Sequence, residues 1–291
     1  MERSELTRRK FLTRLATGAS ILAGIASVDG LLVEPRAYAV ERVQIELPRL
    51  PEVFHGFKIV QISDIHFGPY MHTAEVEEAV GMAKTFQPDL VVLTGDFVSR
   101  PFGENNGPRG ARHAEPCAEA LTQFGTTPMI AVLGNHDCWN DAGIVAGALK
   151  DRGIKVLRNQ ATAIERGRDR LWISGIGDAI TEDVDLPAAL EPVPVGECTV
   201  LLAHEPDFAD HASRYDIDLQ LSGHSHGGQV RLPGVGALIL PELAKKYPEG
   251  LNRVRNLQLY TNRGLGVISP PVRFNCPPEI TFHTFVRPQK A

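Results

Sequence analysis

The chain has 291 residues, 43% of them hydrophobic and 22% charged, with a formal net charge of −5 at pH 7. That length can bury a sizeable core, and no stretch reads as a repeat or a low-complexity tract. The acidic balance argues against duplex nucleic acid, which favours a basic face. Four scattered cysteines (Cys117, Cys138, Cys198 and Cys276) argue against a disulfide framework and against zinc held by thiolates.

In chain order, the first feature is Thr7-Arg8-Arg9-Lys10-Phe11-Leu12, with paired arginines directly before a mildly apolar run from Leu15 to Val33. Ala37-Tyr38-Ala39 then places small residues where a signal peptidase reads. Residues 1–39 are expected to be a twin-arginine signal peptide, which makes the export machinery a partner. The expected address is the periplasm or the outer face of the cytoplasmic membrane. Asp29 and Gly30 interrupt the run and argue against a permanent span.

From residue 40 a pattern recurs of short β-branched run, polar loop and helix. Lys58–Ser63 reads as a strand ending at Asp64-Ile65-His66. Thr73–Gln87 reads as a helix with Thr73 as N-cap and Pro88 as stop. Leu90–Thr94 ends at Gly95-Asp96, and a loop and a helix near 112–124 follow. Met129–Leu133 ends at Gly134-Asn135-His136-Asp137 and precedes a helix near 142–152. Further strands are expected at 171–175, at 199–203 before His204, and at 217–222 before Gly223-His224-Ser225-His226. The tail segments 257–261 and 280–286 alternate like exposed edge strands. The expected fold is α/β: a single domain over 40–291, built as a four-layer αββα sandwich of two mixed β-sheets flanked by helices.

Five strands thus deliver Asp, His or Asn just past their C-terminal ends, where open α/β sheets place ligands. Each piece alone is weak: a Gly-Asp pair is usually a turn, and a lone histidine is usually structural. Two histidines among the glycines of 223–228, in order with the other four pieces, are not explained by packing. Two divalent ions about 4 Å apart can clamp a phosphate and activate a water between them. Imidazole and carboxylate without thiolate suit manganese, iron or zinc.

The order Asp64-x-His66, Gly95-Asp96, Gly134-Asn135-His136-Asp137, His204, Gly223-His224-Ser225-His226 resembles the calcineurin-like metallophosphoesterases. The later stretches 260–266 and 271–280 and the export signal are similar to a branch of exported or membrane-associated phosphodiesterases, some proposed to act on lipid-linked substrates. The resemblance implies that Asp64, His66, Asp96 and His226 hold one metal. Asp96 then bridges to a second, completed by Asn135, His204 and His224. It implies His136 as phosphate ligand or acid, with Asp137 orienting it. A tyrosine three residues after Asp96 would mark the purple acid phosphatases, and Ser99 stands there instead. A lipid or small-molecule phosphodiester is the expected substrate; a monoester would fit the same metals.

Substrate choice is expected from loops at the mouth. Arg109 and Arg112 in the loop 102–112, and Asn262 and Arg263 from the tail, are candidates for substrate contact. The segment 236–241 beside Lys245-Lys246-Tyr247 is a candidate for peripheral membrane contact. A different class remains open: Gly223-His224-Ser225-His226-Gly227 also fits G-x-S-x-G, the elbow of a serine esterase. That elbow needs a helix after Ser225 and an acid and a histidine downstream. Gly227, Gly228, Pro233, Gly234 and Gly236 disfavour the helix, and only Glu242, Glu249 or Glu279 with His283 remain for the pair.

Overall fold

The computed structural model describes residues 27–99, 109–181 and 184–288, with the isolated positions 8, 12, 13, 17 and 24. The first half contains β1 (Ala39–Glu46), β2 (Phe57–Ile62), α1 (Thr73–Lys84), β3 (Leu90–Thr94), α2 (Ala114–Leu121), β4 (Met129–Val132), α3 (Asn135–Asp151) and β5 (Lys155–Val156). Then come β6 (Gln160–Arg166), β7 (Asp169–Gly175), α4 (Leu186–Leu190), β8 (Thr199–Leu202), α5 (Ala209–Ala212) and β9 (Leu219–Ser222). A short pair, β10 (Arg231–Leu232) and β11 (Gly236–Ala237), precedes β12 (Gly250–Val254), β13 (Leu257–Thr261) and β14 (Glu279–Val286).

Two six-stranded mixed sheets result, in the orders β1-β14-β2-β3-β4-β5 and β12-β13-β9-β8-β7-β6. Strands β2 to β5 are parallel, as are β7, β8, β9 and β13. Side chains alternate between faces with period two. Ile59, Leu90, Val92, Val200, Leu202, Leu219 and Leu221 fill the space between the sheets. Val60, Ile62, Val91 and Leu93 face α1, α2 and α3 through Val76, Val80, Leu121 and Leu149. Leu201, Ala203 and Leu259 meet Leu186, Ala189, Ala209 and Ala212 of α4 and α5 on the far side. Both faces of each sheet are therefore covered, which is why the central strands read as unbroken apolar runs. The expected αββα layering is what the chain adopts.

The register sets the position of the chemistry. Because β2, β3 and β4 are parallel neighbours, as are β8 and β9, their C-terminal ends lie along one rim. All five ligand-bearing loops leave from those ends.

Three local expectations are corrected. The N-cap of α1 is His72 rather than Thr73, with the Glu75 carboxylate accepting the His72 N–H at 3.2 Å. Helix α3 starts at Asn135 and is broken at Asp141, whose carboxylate caps the second piece through the Ile144 N–H at 3.0 Å. The segment expected near 142–152 is that second piece. The tail strands are not edges, since β13 lies between β12 and β9, and β14 between β1 and β2. The strands that cover them, β1 and β12, are half charged or polar and carry no clean apolar signal.

Strand β1 begins at Ala39, the residue before the expected domain boundary. Just before it, a helical turn (Asp29–Val33) and a 3-10 turn (Glu34–Arg36) lie against the strip 272–276. The Arg273 N–H donates to the Gly30 carbonyl at 2.9 Å, and the Asn275 N–H donates to the Glu34 carboxylate at 2.8 Å. Most of the twin-arginine motif lies outside the described residues. No helix among the described residues is long and apolar enough to cross a membrane.

Candidate metal centre

The seven candidate ligands converge at the strand rim, all buried: Asp64 and His66 after β2, Asp96 after β3, Asn135 after β4, His204 after β8, and His224 and His226 after β9. Asp64, His66, Asp96, His224 and His226 all have positive φ, between 49° and 67°. Non-glycine residues there cost about 1–3 kcal/mol each, and such strain persists only where the surroundings enforce it. Here they do. The Asp64 N–H donates to Gly95 O and the His66 N–H to Asp96 O, both at 2.9 Å, while Gly266 N–H donates to Asp64 O at 2.8 Å.

Two glycines make the approach of these loops feasible. Gly95 has φ +97°, and a Cβ there would lie 2.6 Å from His204 Nδ1 and 2.7 Å from the Gly134 nitrogen. A Cβ on Gly134 would lie 2.4 Å from Asp96 Oδ1. The Gly-Asp and Gly-Asn-His-Asp motifs therefore encode backbone clearance beside the ligands.

The donor atoms form two separate groups, Asp64 with His66 and His226, and Asp96 with His204 and His224; a third, His66 with Asp96 and His136, shares one residue with each. His66 Nε2 lies 3.0 Å from His226 Nε2 and 3.5 Å from Asp96 Oδ2. His204 Nε2 lies 3.3 Å from Asp96 Oδ2, and His226 Nε2 lies 3.5 Å from Asp64 Oδ1. Asp96 thus touches both groups, as a bridging carboxylate must.

The outer ring nitrogens are fixed by backbone. His204 Nδ1 donates to Thr94 O at 2.6 Å, and His224 Nε2 donates to Glu242 O at 2.8 Å. His224 is thereby left with Nδ1 as its lone-pair side, the arrangement metal-binding histidines use. At His204, burial is outweighed by Asp96 and Asp64, which raise it well above its ordinary value, so a metal would displace a proton there. His204 Nε2 and Asn135 Oδ1 are buried with no hydrogen-bond partner in the protein. Buried polar atoms without partners, beside a carboxylate and imidazole cluster, fit a divalent cation.

Charge follows the same logic. Burial, reinforced by neighbouring histidines, pushes His66 down to about 3 and His224 down to about 4, and His226 is also well below its ordinary value. These rings are neutral at pH 7 and keep lone pairs for a metal. Burial also raises Asp64 to about 6, against the pull of His204. For Asp96, burial opposes ionisation but the neighbouring histidines, His204 foremost, outweigh it and hold the carboxyl well below the usual range.

The remaining candidates divide. His136 is half-buried, edge-on to His66 with ring centroids 4.6 Å apart and 5.0 Å from the Trp139 ring, and its N–H donates to Asp96 Oδ1 at 2.8 Å. Asp137 has a structural role that its position in the motif did not reveal. Its Oδ1 accepts the Phe97 and Val98 N–H groups at 2.8 and 3.2 Å, and its Oδ2 accepts the Gly134 N–H at 3.0 Å. It clamps two loops and the start of α3.

A cavity of about 580 Å³ opens onto Asp96, Asn135, His136, His224 and His226. Asn262 is not on its wall: it is buried, donating to Thr281 Oγ1 at 2.7 Å and accepting the Gly264 N–H at 2.7 Å. Arg263 is also off the wall, its Nε 2.8 Å from Glu279 and its Nη2 2.6 Å from Glu41. Arg109 is exposed and does not line the cavity, and 102–108 lie outside the described residues.

Sequence reading missed Trp139, Ile180, Gln229 and Ile268 on the wall. It also missed the depth of Arg273, which is fully buried and donates to the carbonyls of Arg263, Gly264, Gly266 and Cys276, so holding the loop that abuts Asp64. No local periodicity marks these residues.

The serine-elbow alternative has no geometry to support it. Only a 3-10 turn (His226–Gly228) follows Ser225, whose hydroxyl accepts the Gly227 N–H at 3.0 Å. His283 lies between the sheets, bonded to Gln61 Oε1 at 3.0 Å.

Comparison with known proteins agrees with this geometry. Residues 57–228 match the family described as calcineurin-like phosphoesterase. The chain is 32% identical to the metallophosphoesterase YkuE of Bacillus subtilis, over 96% of this chain and 98% of that one. It is 31% identical to the phosphodiesterase YaeI of Escherichia coli, over 95% and 98% of the two chains. It is 27% identical to the UDP-2,3-diacylglucosamine pyrophosphatase LpxG of Chlamydia trachomatis, over 85% and 89%.

Proposed function

From the premise that this chain belongs to the calcineurin-like phosphoesterases and hydrolyses phosphoric esters, we propose that it is a phosphodiesterase of the cell envelope. It uses two divalent ions, manganese, iron or zinc. It is exported by the twin-arginine route to the periplasm or the outer face of the cytoplasmic membrane. Its substrate is a phosphodiester or pyrophosphate carried by a lipid. One observation supports this reading above the others: the cavity is two-sided. Its inner end carries the ligand cluster, and its outer wall is apolar, with Trp139, Ile180, Val230, Leu238, Ile239 and Ile268. That combination suits an amphiphile with a charged head. The paired arginines at 8–9 support the address.

Asp64, His66, Asp96 and His226 would hold one ion, and Asp96, Asn135, His204 and His224 the other. When bound, the ions would supply the positive charge that holds a phosphate and acidifies a water for attack. The chain's own groups do the rest. Thr94 O and Glu242 O fix the tautomers and tilt of His204 and His224. His136, at the inner end of the cavity and tethered through its N–H to Asp96, is placed to protonate the leaving oxygen or bind a phosphoryl oxygen. The apolar wall limits competing water around the scissile bond.

The test is a substrate panel on the full chain with metals counted by elemental analysis. Bis(p-nitrophenyl) phosphate and a glycolipid pyrophosphate should be cleaved faster than p-nitrophenyl phosphate, with two metal equivalents bound. Hydrolysis of soluble monoesters alone would make the chain a phosphomonoesterase on the same site.

A further inference from the structure

The rim of the cavity is unusually apolar and unusually exposed. Leu238 and Ile239, on its wall, are 54% and 80% exposed, and on the adjoining β10–β11 hairpin Leu232 and Val235 are 40% and 72% exposed. The hairpin tip, Pro233-Gly234-Val235, carries no charge. Tyr70, 42% exposed, reaches the same rim through Ser269, its hydroxyl 3.5 Å from Ser269 Oγ.

A second apolar element ends beside this rim. Phe274 joins the hairpin base, its N–H donating to Gln229 O at 2.8 Å while its carbonyl accepts the Arg231 N–H at 2.9 Å. On the same strip, the Arg273 N–H donates to Gly30 O, and Gly30 belongs to the turn whose Leu31 and Leu32 are 50% and 61% exposed. The adjacent residues Arg273 and Phe274 therefore link the hairpin base to Gly30, near the end of the apolar run that starts at Leu15. Clustered exposed apolar side chains of this kind mark a binding surface.

We infer that this face, formed by the hairpin tip, Leu238 and Ile239 and, for as long as the signal segment is retained, by the turn at 29–33, is a lipid-bilayer contact surface that holds the cavity mouth against the membrane. The inference rests on the lipid-linked substrate reading and adds its geometry, in which an amphiphile enters without leaving the bilayer. A second copy of this chain is the competing occupant. It is disfavoured because the patch is continuous with the mouth that a lipid-linked substrate must enter, and because the apolar stretch of the sequence from Leu15 to Val33 includes Gly30, which is bonded beside it.

The experiment uses the full chain with Val235→Cys, labelled with an environment-sensitive nitrobenzoxadiazole dye, and vesicles of phosphatidylethanolamine and phosphatidylglycerol. Val195→Cys is the control, because Val195 is 98% exposed but lies before the N-terminal end of β8, opposite the rim. The parent chain, labelled in parallel, corrects for the half-buried Cys138. The dye at 235 should shift to the blue with vesicles and be quenched by spin-labelled lipid, and the dye at 195 should do neither. Leu232→Cys repeats the measurement from a second position. The same weak response at 195 and 235 would overturn the inference, and so would shielding of the 235 dye without lipid in a concentration-dependent dimer. Hydrolysis of bis(p-nitrophenyl) phosphate, measured on the same samples, reports the catalytic reading separately.

Discussion

Asp96 is the candidate ligand that touches both groups, and His224 is one of two whose orientation rests on a backbone carbonyl. Asp96→Asn removes the shared charge without changing shape, and His224→Ala removes one donor. Each should lower kcat for bis(p-nitrophenyl) phosphate by a factor on the order of 10²–10³, the usual effect of losing a key electrostatic group. Ser225→Ala should leave that rate within a few-fold. Steady-state assays in metal-supplemented buffer decide this, and a dead Ser225→Ala enzyme that still binds metal would restore the esterase reading. Asp137 separates structure from chemistry. Asp137→Ala leaves the Phe97, Val98 and Gly134 N–H groups without their acceptor, and each buried orphan costs about 1–3 kcal/mol. The expected outcome is a midpoint in urea well below that of His136→Ala, which loses rate rather than stability. Equal midpoints would contradict the clamp. The candidate ligands were legible in the sequence because each sits two to four positions past the end of an apolar strand. The role of Asp137 was not, because its acceptors' partners come from a loop about 40 positions away.

At the level of elements, the central strands were legible and their neighbours were not. Strands β2, β3, β4, β8 and β9 are covered on both faces and so announce themselves as apolar runs. Strand β1 pairs along its whole length with β14, yet its residues Ala39–Glu46 alternate charge with Val and Ile, so β14 read as an edge. The polar side chains of β14 are explained by a network between the sheets rather than by exposure to water. His283 Nε2 donates to Gln61 Oε1 at 3.0 Å, Gln61 Nε2 donates to Ser222 O at 2.9 Å, and Tyr260 packs edge-on against the His283 ring at 4.8 Å. Burial pushes His283 down to about 3 from an ordinary 6.5. Below pH 6.5 the unfolded chain binds a proton at this position that the folded chain refuses, so its stability is complete above 6.5 and falls with pH down to about 3. The slope from this one group is about 1.4 kcal/mol per pH unit. His283→Gln keeps a donor for Gln61 and removes the titration. Urea unfolding across this window should show a shallower loss of stability for the variant by about that slope, and parallel curves would mean that His283 is protonated in the folded state.

The whole molecule is two sheets meeting at one rim, and the ligands are divided between them. The first sheet supplies Asp64, His66, Asp96 and Asn135, and the second supplies His204, His224 and His226. An ion held by Asp96 and His204, or by Asp64 and His226, would therefore join the sheets. It would bind the folded chain and not the unfolded one, because the unfolded chain scatters candidate ligands that lie up to 162 positions apart, from Asp64 to His226. At a free metal concentration of about 100 times Kd, the linkage is worth about 2.7 kcal/mol per ion. For a domain of this size, each kcal/mol moves the midpoint by about 2–4 °C, so stripping one ion should lower Tm by about 5–10 °C. Scanning calorimetry with and without a chelator measures this directly. Readdition of manganese or zinc should restore the midpoint. In Asp96→Asn, which lacks the shared carboxylate, the chelator should have far less effect, since little metal remains to be removed. The hydrophobic layers predict the opposite control: a truncation between the sheets, such as Leu202→Ala, should lower Tm by a similar amount with or without chelator. A parent chain whose Tm ignores the chelator, with the metal shown to be gone by elemental analysis, would mean that the rim is held by packing alone and the ions serve only the chemistry.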